Sequence, residues 1–357
     1  MKVMTIFGTR PEIIRLSRIF PLLDENFQHV MVNTNQNFTS ELSSNFFKEL
    51  KLRNPDYDLG VKTGNFGLEV SDILKKTSKI IKNENPECLL ILGDTNSGLS
   101  CIPAAHQGIK IIHLEAGMRS YNPLSSEEKN RVVIDHLSTV LLPYTQYSKE
   151  NLIRENIHPS KIYTVGNPII EVIEHYMPQI DKSIILQKLK LKKNNYFLVT
   201  AHRSENVDNM KSLKNIFSGL EKIHKKFNKK IIYPIHPRTI SKIKNIEIPN
   251  GIKLINSLGF FDFTNLEKNA FCVVTDSGTV PEEMLYFQKP SVTIREYTER
   301  PEIIEAGSNI LSGLNPENML RATESITSGK PDWEWNKVLG DGKTARKVIN
   351  ILHGKMY

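Results

Sequence analysis

Apolar residues along this chain fall in short runs, each followed by a polar or glycine-containing turn and then by an amphipathic stretch. The runs predict strands over 2–7, 29–33, 88–92, 110–114, 139–142 and 162–165. Between them lie segments such as 69–82, where apolar residues recur at three- and four-residue intervals, the period of a helix with one buried face. The rhythm restarts after about residue 185, with strands predicted over 196–200, 230–234, 253–255, 271–275 and 291–293. Alternation of strand and helix implies a parallel sheet covered by helices on both faces. The expected class is therefore α/β, with two doubly wound domains facing across a cleft, the first over 1–170 and the second over 171–339. Residues 167–180 read as a connecting segment broken near its end by Pro178. The tail, about 340–357, is helix-like and able to pack back on the first domain.

Composition narrows the class. A chain of 357 residues, 39% apolar and 24% charged, has the make-up of an ordinary globular protein and room for two cores. No apolar run approaches the roughly 18–20 residues that span a bilayer, so no membrane role is expected. The first residues read as a buried strand and not as a secretory leader, which points to the cytoplasm. Cys88, Cys101 and Cys272 lie in or beside apolar segments without CxxC spacing, as reduced, buried thiols do. The net charge of +8 raises the question of a nucleic-acid partner. The lysine clusters at 188–193 and 225–230 have helix-like surroundings and little aromatic interleaving, so they read as solvated faces, and no nucleic-acid partner is expected.

In open α/β sheets, ligands bind beyond the carboxyl ends of strands, and several polar clusters sit there. Gly8-Thr9-Arg10-Pro11-Glu12 turns a strand into a helix, with Arg10 placed to reach an anion. Asp94 and Glu115 end two strands expected to be neighbours and so can converge on one substrate. The alternative reading is that Asp94 caps the next helix and Glu115 pairs with Arg119. A further cluster from Ser125 opens a helix expected to run to about Leu142; Ser125 and Glu128 have capping-box spacing, which leaves Glu127 for the cleft. In the second half, Asp276-Ser277-Gly278-Thr279-Val280-Pro281-Glu282-Glu283 follows an apolar strand. Small residues there leave backbone N–H groups open to a diphosphate at a helix start, and Glu283 can accept from ribose hydroxyls. His202 and His236 also follow strands. No GKS or GKT, no GxSxG and no metal-ligand spacing appears.

Taken in order, GTRPE, GDTNS, EAGMR, EEKNR, AHRSEN, TDSGTVPEE and TERPE resemble the motifs of the non-hydrolysing UDP-N-acetylglucosamine 2-epimerase family, from Gly8 to about Gly307. The resemblance implies two Rossmann-like domains in the GT-B arrangement, a homodimer, and a UDP-linked 2-acetamido sugar as substrate, with no cofactor and no metal. It implies acid–base roles for Asp94, Glu115 and Glu127 and an active-site role for His202. It implies that Arg10, Arg15, His236, Ser277, Gly278, Thr279, Glu283 and Arg300 hold the UDP portion. The expected reaction interconverts UDP-N-acetylglucosamine and UDP-N-acetylmannosamine, through elimination of UDP to a 2-acetamidoglycal and its readdition.

Departures from the family pattern bear on the substrate. Arg15 stands where a lysine is usual, and Ser126 replaces a proline before Glu127. Thr34-Asn35-Gln36-Asn37-Phe38-Thr39 replaces TGQHRE, and Ser204 replaces an arginine of HRRE, which implies weak substrate activation. The spacing from Glu115 to Glu127, with LGF-x-D, HPRT and DSGT, is similar to the branch acting on UDP-2-acetamido-2,6-dideoxyhexoses, the alternative substrate class. A GT-B glycosyltransferase, a hydrolysing epimerase and a non-catalytic nucleotide-sugar sensor are the other readings.

Overall fold

The computed structural model describes residues 1–36, 46–61, 64–235, 240, 242–243 and 246–355; His236 and residues 37–39 lie outside the described residues. The chain divides into two compact units, Met1–Glu174 with Leu339–Tyr357, and His175–Val338.

Unit 1 holds six strands: β1 (Lys2–Phe7), β2 (Gln28–Asn33), β3 (Tyr57–Asp58), β4 (Cys88–Leu92), β5 (Lys110–Leu114) and β6 (Val140–Leu142). They pair in parallel in the order β3-β2-β1-β4-β5-β6. Alternate residues of the central strands, Met4, Ile6, Leu89, Ile91 and Ile111, join one buried cluster with Ile80, Ile81 and Ala104 from the covering helices. The helices used below are α1 (Arg10–Leu16), α2 (Phe66–Glu84), α3 (Ser126–Leu137) and α4 (Gln146–Arg154). The helix α3 stops at Leu137, short of the expected 142, because Ser138 turns extended and the chain enters β6. Residues 162–165 form no strand; only a single parallel bridge joins Leu141 and Ile162.

A long helix, α5 (Pro168–Asp181), carries the chain from unit 1 into unit 2. It runs through Pro178 unbroken, contrary to the sequence expectation. Proline removes one N–H and crowds one carbonyl, a cost that burial of Ile169, Ile170, Val172, Ile173, Tyr176 and Ile180 along the same helix outweighs.

Unit 2 repeats the architecture with β7 (Tyr196–Thr200), β8 (Lys230–Ile235), β9 (Ile252–Asn256), β10 (Cys272–Thr275), β11 (Ser291–Thr293) and β12 (Asn309–Leu311), in the order β12-β11-β10-β7-β8-β9. Successive residues of β7 point to opposite faces, and both faces are covered. Phe197 and Val199 pack with Leu213, Ile216 and Leu220 of α6 (Met210–Phe227), while Tyr196 and Leu198 pack with Leu266 and Met284. Asn209 caps α6 by accepting from the N–H groups of Lys211 and Ser212. The last helix used below is α7 (Val280–Tyr286).

The C-terminal helix, Thr344–Lys355, belongs to unit 1 and packs on the helix Ile19–Asn26. The Thr344 hydroxyl donates to the Val165 carbonyl at 3.2 Å and the Ala345 N–H to Glu171 at 2.8 Å. No described helix is long and apolar enough to cross a membrane. All three cysteines are buried and unbridged, and burial pushes the Cys88 and Cys101 thiols up to about 12.

Candidate active site

A doubly wound sheet reverses its winding at one point, and the loops leaving the strands there part to form a crevice. In unit 1 the reversal falls between β1 and β4, and in unit 2 between β7 and β10. The motif clusters gather at these two edges.

In unit 1, Glu12 ties the first turn to its neighbour. One carboxylate oxygen accepts the Gly8 N–H at 3.0 Å, the Thr9 N–H at 2.7 Å and the Thr9 hydroxyl at 2.7 Å; the other accepts the Thr95 hydroxyl at 2.9 Å. Burial pushes Glu12 up to about 7 despite these donors. Arg10 is half-buried, with its guanidinium carbon 4.6 Å from the Phe46 ring centre. Arg15 is buried on the inner side of α1, where its guanidinium pairs with Glu115 and lies over the Tyr144 ring. This arginine, expected at the nucleotide, is engaged by a strand-end carboxylate.

Asp94 leaves β4 half-buried and accepts from Arg131 of α3 at 2.5 Å, while Asn130 donates to its carbonyl at 2.9 Å. Neither alternative drawn from the sequence is found: the short helix after Asp94 begins beyond Thr95, and Glu115 pairs with Arg15 and not with Arg119. Arg131 also reaches Glu128 at 2.8 Å. The capping box is therefore half formed. Ser125 caps the Glu128 N–H at 3.3 Å, but the Glu128 carboxylate turns to the Ser120 and Tyr121 N–H groups instead of that of Ser125. Glu127 is half-buried and accepts from the Ser125 and Ser126 hydroxyls at 2.9 and 3.1 Å. Asp94, Glu115 and Glu127 are thus carried by one constellation, the β4 and β5 ends and the first turn of α3.

In unit 2, buried Asp276 joins the two strand-end loops. Its carboxylate accepts the His202 N–H at 3.0 Å, the Arg203 N–H at 2.9 Å and the Asn206 amide at 3.0 Å. The His202 ring is exposed. The Ser277 hydroxyl accepts the Thr279 N–H at 3.3 Å, and Glu283 is buried in the first turn of α7. Gly278 has no room for a side chain: an added Cβ would lie 2.3 Å from Glu299 and 2.8 Å from Arg300. Arg300 is buried behind that turn, donating to Glu282 at 2.6 Å and to Glu299 at 2.5 Å. Among the described residues, no group of His, Cys, Asp or Glu is gathered as a metal site requires.

The family model described as UDP-N-acetylglucosamine 2-epimerase matches residues 23–353. The chain belongs to that family. A UDP-N-acetylglucosamine 2-epimerase of Methanococcus maripaludis is 38% identical over 99% of both chains. The crystal structure of the Methanocaldococcus jannaschii UDP-GlcNAc 2-epimerase, in complex with UDP-GlcNAc and UDP, superposes with a TM-score of 0.93 at 38% identity, covering 99% of each chain. The glycotransferase of kitacinnamycin, 10% identical with a TM-score of 0.63 over 100% of this chain and 99% of its own, shares the fold alone. The fold is of GT-B type, with two Rossmann-like domains.

In this epimerase-family chain the sequence reading placed Glu12, Arg131 and Asp276 inside motifs without giving them a role, and it missed His113 and Asp135 altogether. A signal for two of these side chains, Arg131 and Asp135, exists in α3. Glu128, Arg131 and Asp135 recur at three- and four-residue intervals on the face that also buries Ile134, where charge belongs only if partnered.

Proposed function

We propose that this protein is a non-hydrolysing UDP-N-acetylglucosamine 2-epimerase, interconverting UDP-N-acetylglucosamine and UDP-N-acetylmannosamine for surface polysaccharide precursors. The observation that carries the reading is the set of three carboxylates on the β4 and β5 ends and the first turn of α3, two of them oriented by arginines from neighbouring helices. The full-length relatives named for UDP-GlcNAc favour that sugar over a 2,6-dideoxyhexose.

The chemistry explains the carboxylates. No carbonyl adjoins C2 of the sugar, so its proton is not acidic. Breaking the C1–O bond to UDP first develops positive charge at C1 and makes that proton removable. The products are UDP and a 2-acetamidoglycal; returning a proton to the opposite face of C2 and UDP to C1 inverts the centre. Asp94, Glu115 and Glu127 supply the acid and base, each such role giving typically about 10²–10⁴-fold. The Ser277–Gly278–Thr279 turn, with Glu283, Arg10, His236 and Arg300, holds the UDP portion, and His202 adjoins the sugar. UDP-N-acetylglucosamine incubated with the enzyme in D₂O is expected to gain deuterium at C2 in both epimers, read by NMR. Inversion with the original hydrogen retained would overturn the elimination route.

The protein works in this reading as a cytoplasmic homodimer. The broad outer face of α3 presents Val132, Val133 and Leu137, each more than a third exposed, as an apolar surface for a second copy.

A further inference from the structure

Two residues before Glu115, the His113 ring is wholly buried on β5. Its Nδ1 lies 2.6 Å from an Asp135 oxygen, and its Nε2 lies 2.9 Å from the Gly93 carbonyl oxygen. A backbone carbonyl can only accept a hydrogen bond. Asp135 likewise acts as an acceptor, since its second oxygen takes the Gly117 N–H at 3.1 Å and pairs with Arg119 at 2.8 Å. Burial works to raise the Asp135 carboxyl, but His113 and Arg119 outweigh it and hold it below its ordinary value. Both His113 nitrogens therefore face acceptors, and the geometry calls for an N–H on each.

The groups this pair grips are not arbitrary. Gly93 precedes Asp94, and Gly117 follows Glu115 by two residues. The turn between them is bent into left-handed backbone, with φ of +75° at Glu115 and +79° at Gly117. A glutamate in that region costs on the order of 1–3 kcal/mol and persists only when its surroundings fix it. The Glu115 N–H is held by the Leu142 carbonyl at 3.1 Å, and the far end of the turn by Asp135. Arg119 ties the same aspartate outward to Glu155 at 2.6 Å.

We propose that His113 and Asp135 are a positioning pair: the ring fixes the β4 end through the Gly93 carbonyl, the carboxylate fixes the β5 turn through the Gly117 N–H, and together they set Asp94 and Glu115 at their working separation. This rests on the acid–base reading above. Neither residue touches substrate in it; they act through the two carboxylates.

The test uses the full chain. Asp135→Asn keeps shape but lets the amide donate to Nδ1, so the ring no longer needs an N–H on that side. Turnover is expected to fall about 10²-fold, the cost of misplacing catalytic groups by about an ångström, while KM for UDP-N-acetylglucosamine moves less than about threefold. Glu155→Gln, at the outer end, is expected to leave kcat within about twofold. In ¹⁵N-histidine spectra, assigned by loss of the signal in His113→Gln, the wild-type ring should show two N–H groups and the Asp135→Asn ring one. A wild-type ring with a bare nitrogen overturns the proposal, even if no variant folds. So does a folded Asp135→Asn with normal kcat, or one whose kcat and KM change in proportion. Failure of the acid–base reading is distinguishable, because Asp94→Asn or Glu115→Gln would then keep near-normal turnover whatever the His113 spectrum shows.

Discussion

At the scale of single residues, partners decide what each carboxylate can do. Glu115 and Arg15 lie 100 positions apart in the chain, and Asp94 and Arg131 lie 37 apart. Motif reading placed both acids at strand ends, but from several arginines it could not choose the partners, since only the fold brings them together. Asp94→Asn, Glu115→Gln and Glu127→Gln are each expected to cut turnover by about 10² or more, in steady-state assays, while UDP affinity holds. Stability separates them. Glu115→Gln takes the carboxylate from a buried ion pair with Arg15 and costs about 3 kcal/mol, whereas half-buried Glu127, which accepts from two hydroxyls, costs under about 1 kcal/mol, as denaturant titration would show. Glu12 is expected to act on the pH dependence. Its folded value of about 7 exceeds the ordinary 4.5, so the folded protein holds a proton there that the unfolded chain releases. Stability from this group is therefore present at low pH and falls as pH rises from about 4.5 through about 7. Glu12→Gln keeps the acceptor for Gly8 and Thr9 and should remove that decline, gaining up to about 3 kcal/mol on wild type by pH 8 in denaturation midpoints.

At the scale of elements, the buried strands were legible: β1, β4, β5 and β7 have the predicted bounds, and so does the three-residue β11. The two-residue β3 and the three-residue β12 were not, because most of their residues are at least partly exposed and no apolar run marks them. Pro178 misled because a local breaker signal carries no information about the burial that overrides it. The turn after β5 is a stringent element. At Gly117 the backbone is left-handed and an added Cβ would lie 2.2 Å from the Ser148 carbonyl oxygen at the start of α4. Gly117→Ala is expected to destabilise by about 3 kcal/mol or more, seen as a drop in thermal midpoint, because neither backbone nor helix can yield.

At the scale of the whole molecule, two copies of one strand order explain why the double rhythm of the sequence was readable as two domains, whereas the outer face of α3 carried no motif to mark it. Light scattering on the wild-type chain of 40.8 kDa should give twice that mass, and Val133→Lys should shift the population toward the monomer. The departures at residues 37–39 and Ser204 carry a kinetic expectation: rate should rise hyperbolically with UDP-N-acetylglucosamine, and initial-rate curves would reveal any sigmoidal onset. The closing helix bears on how the molecule is made. Unit 1 contains the first residues and the last, and the whole of unit 2 lies between them. Ala345, Val348, Ile349 and Leu352 fill unit 1 from its far terminus and are essentially inaccessible once docked. A ribosome therefore finishes unit 2 while the earlier-made unit still waits with open apolar surface. Limited proteolysis of a released chain that ends at Val338 should find unit 2 resistant and unit 1 still cleavable, an order of maturation opposite to the order of synthesis.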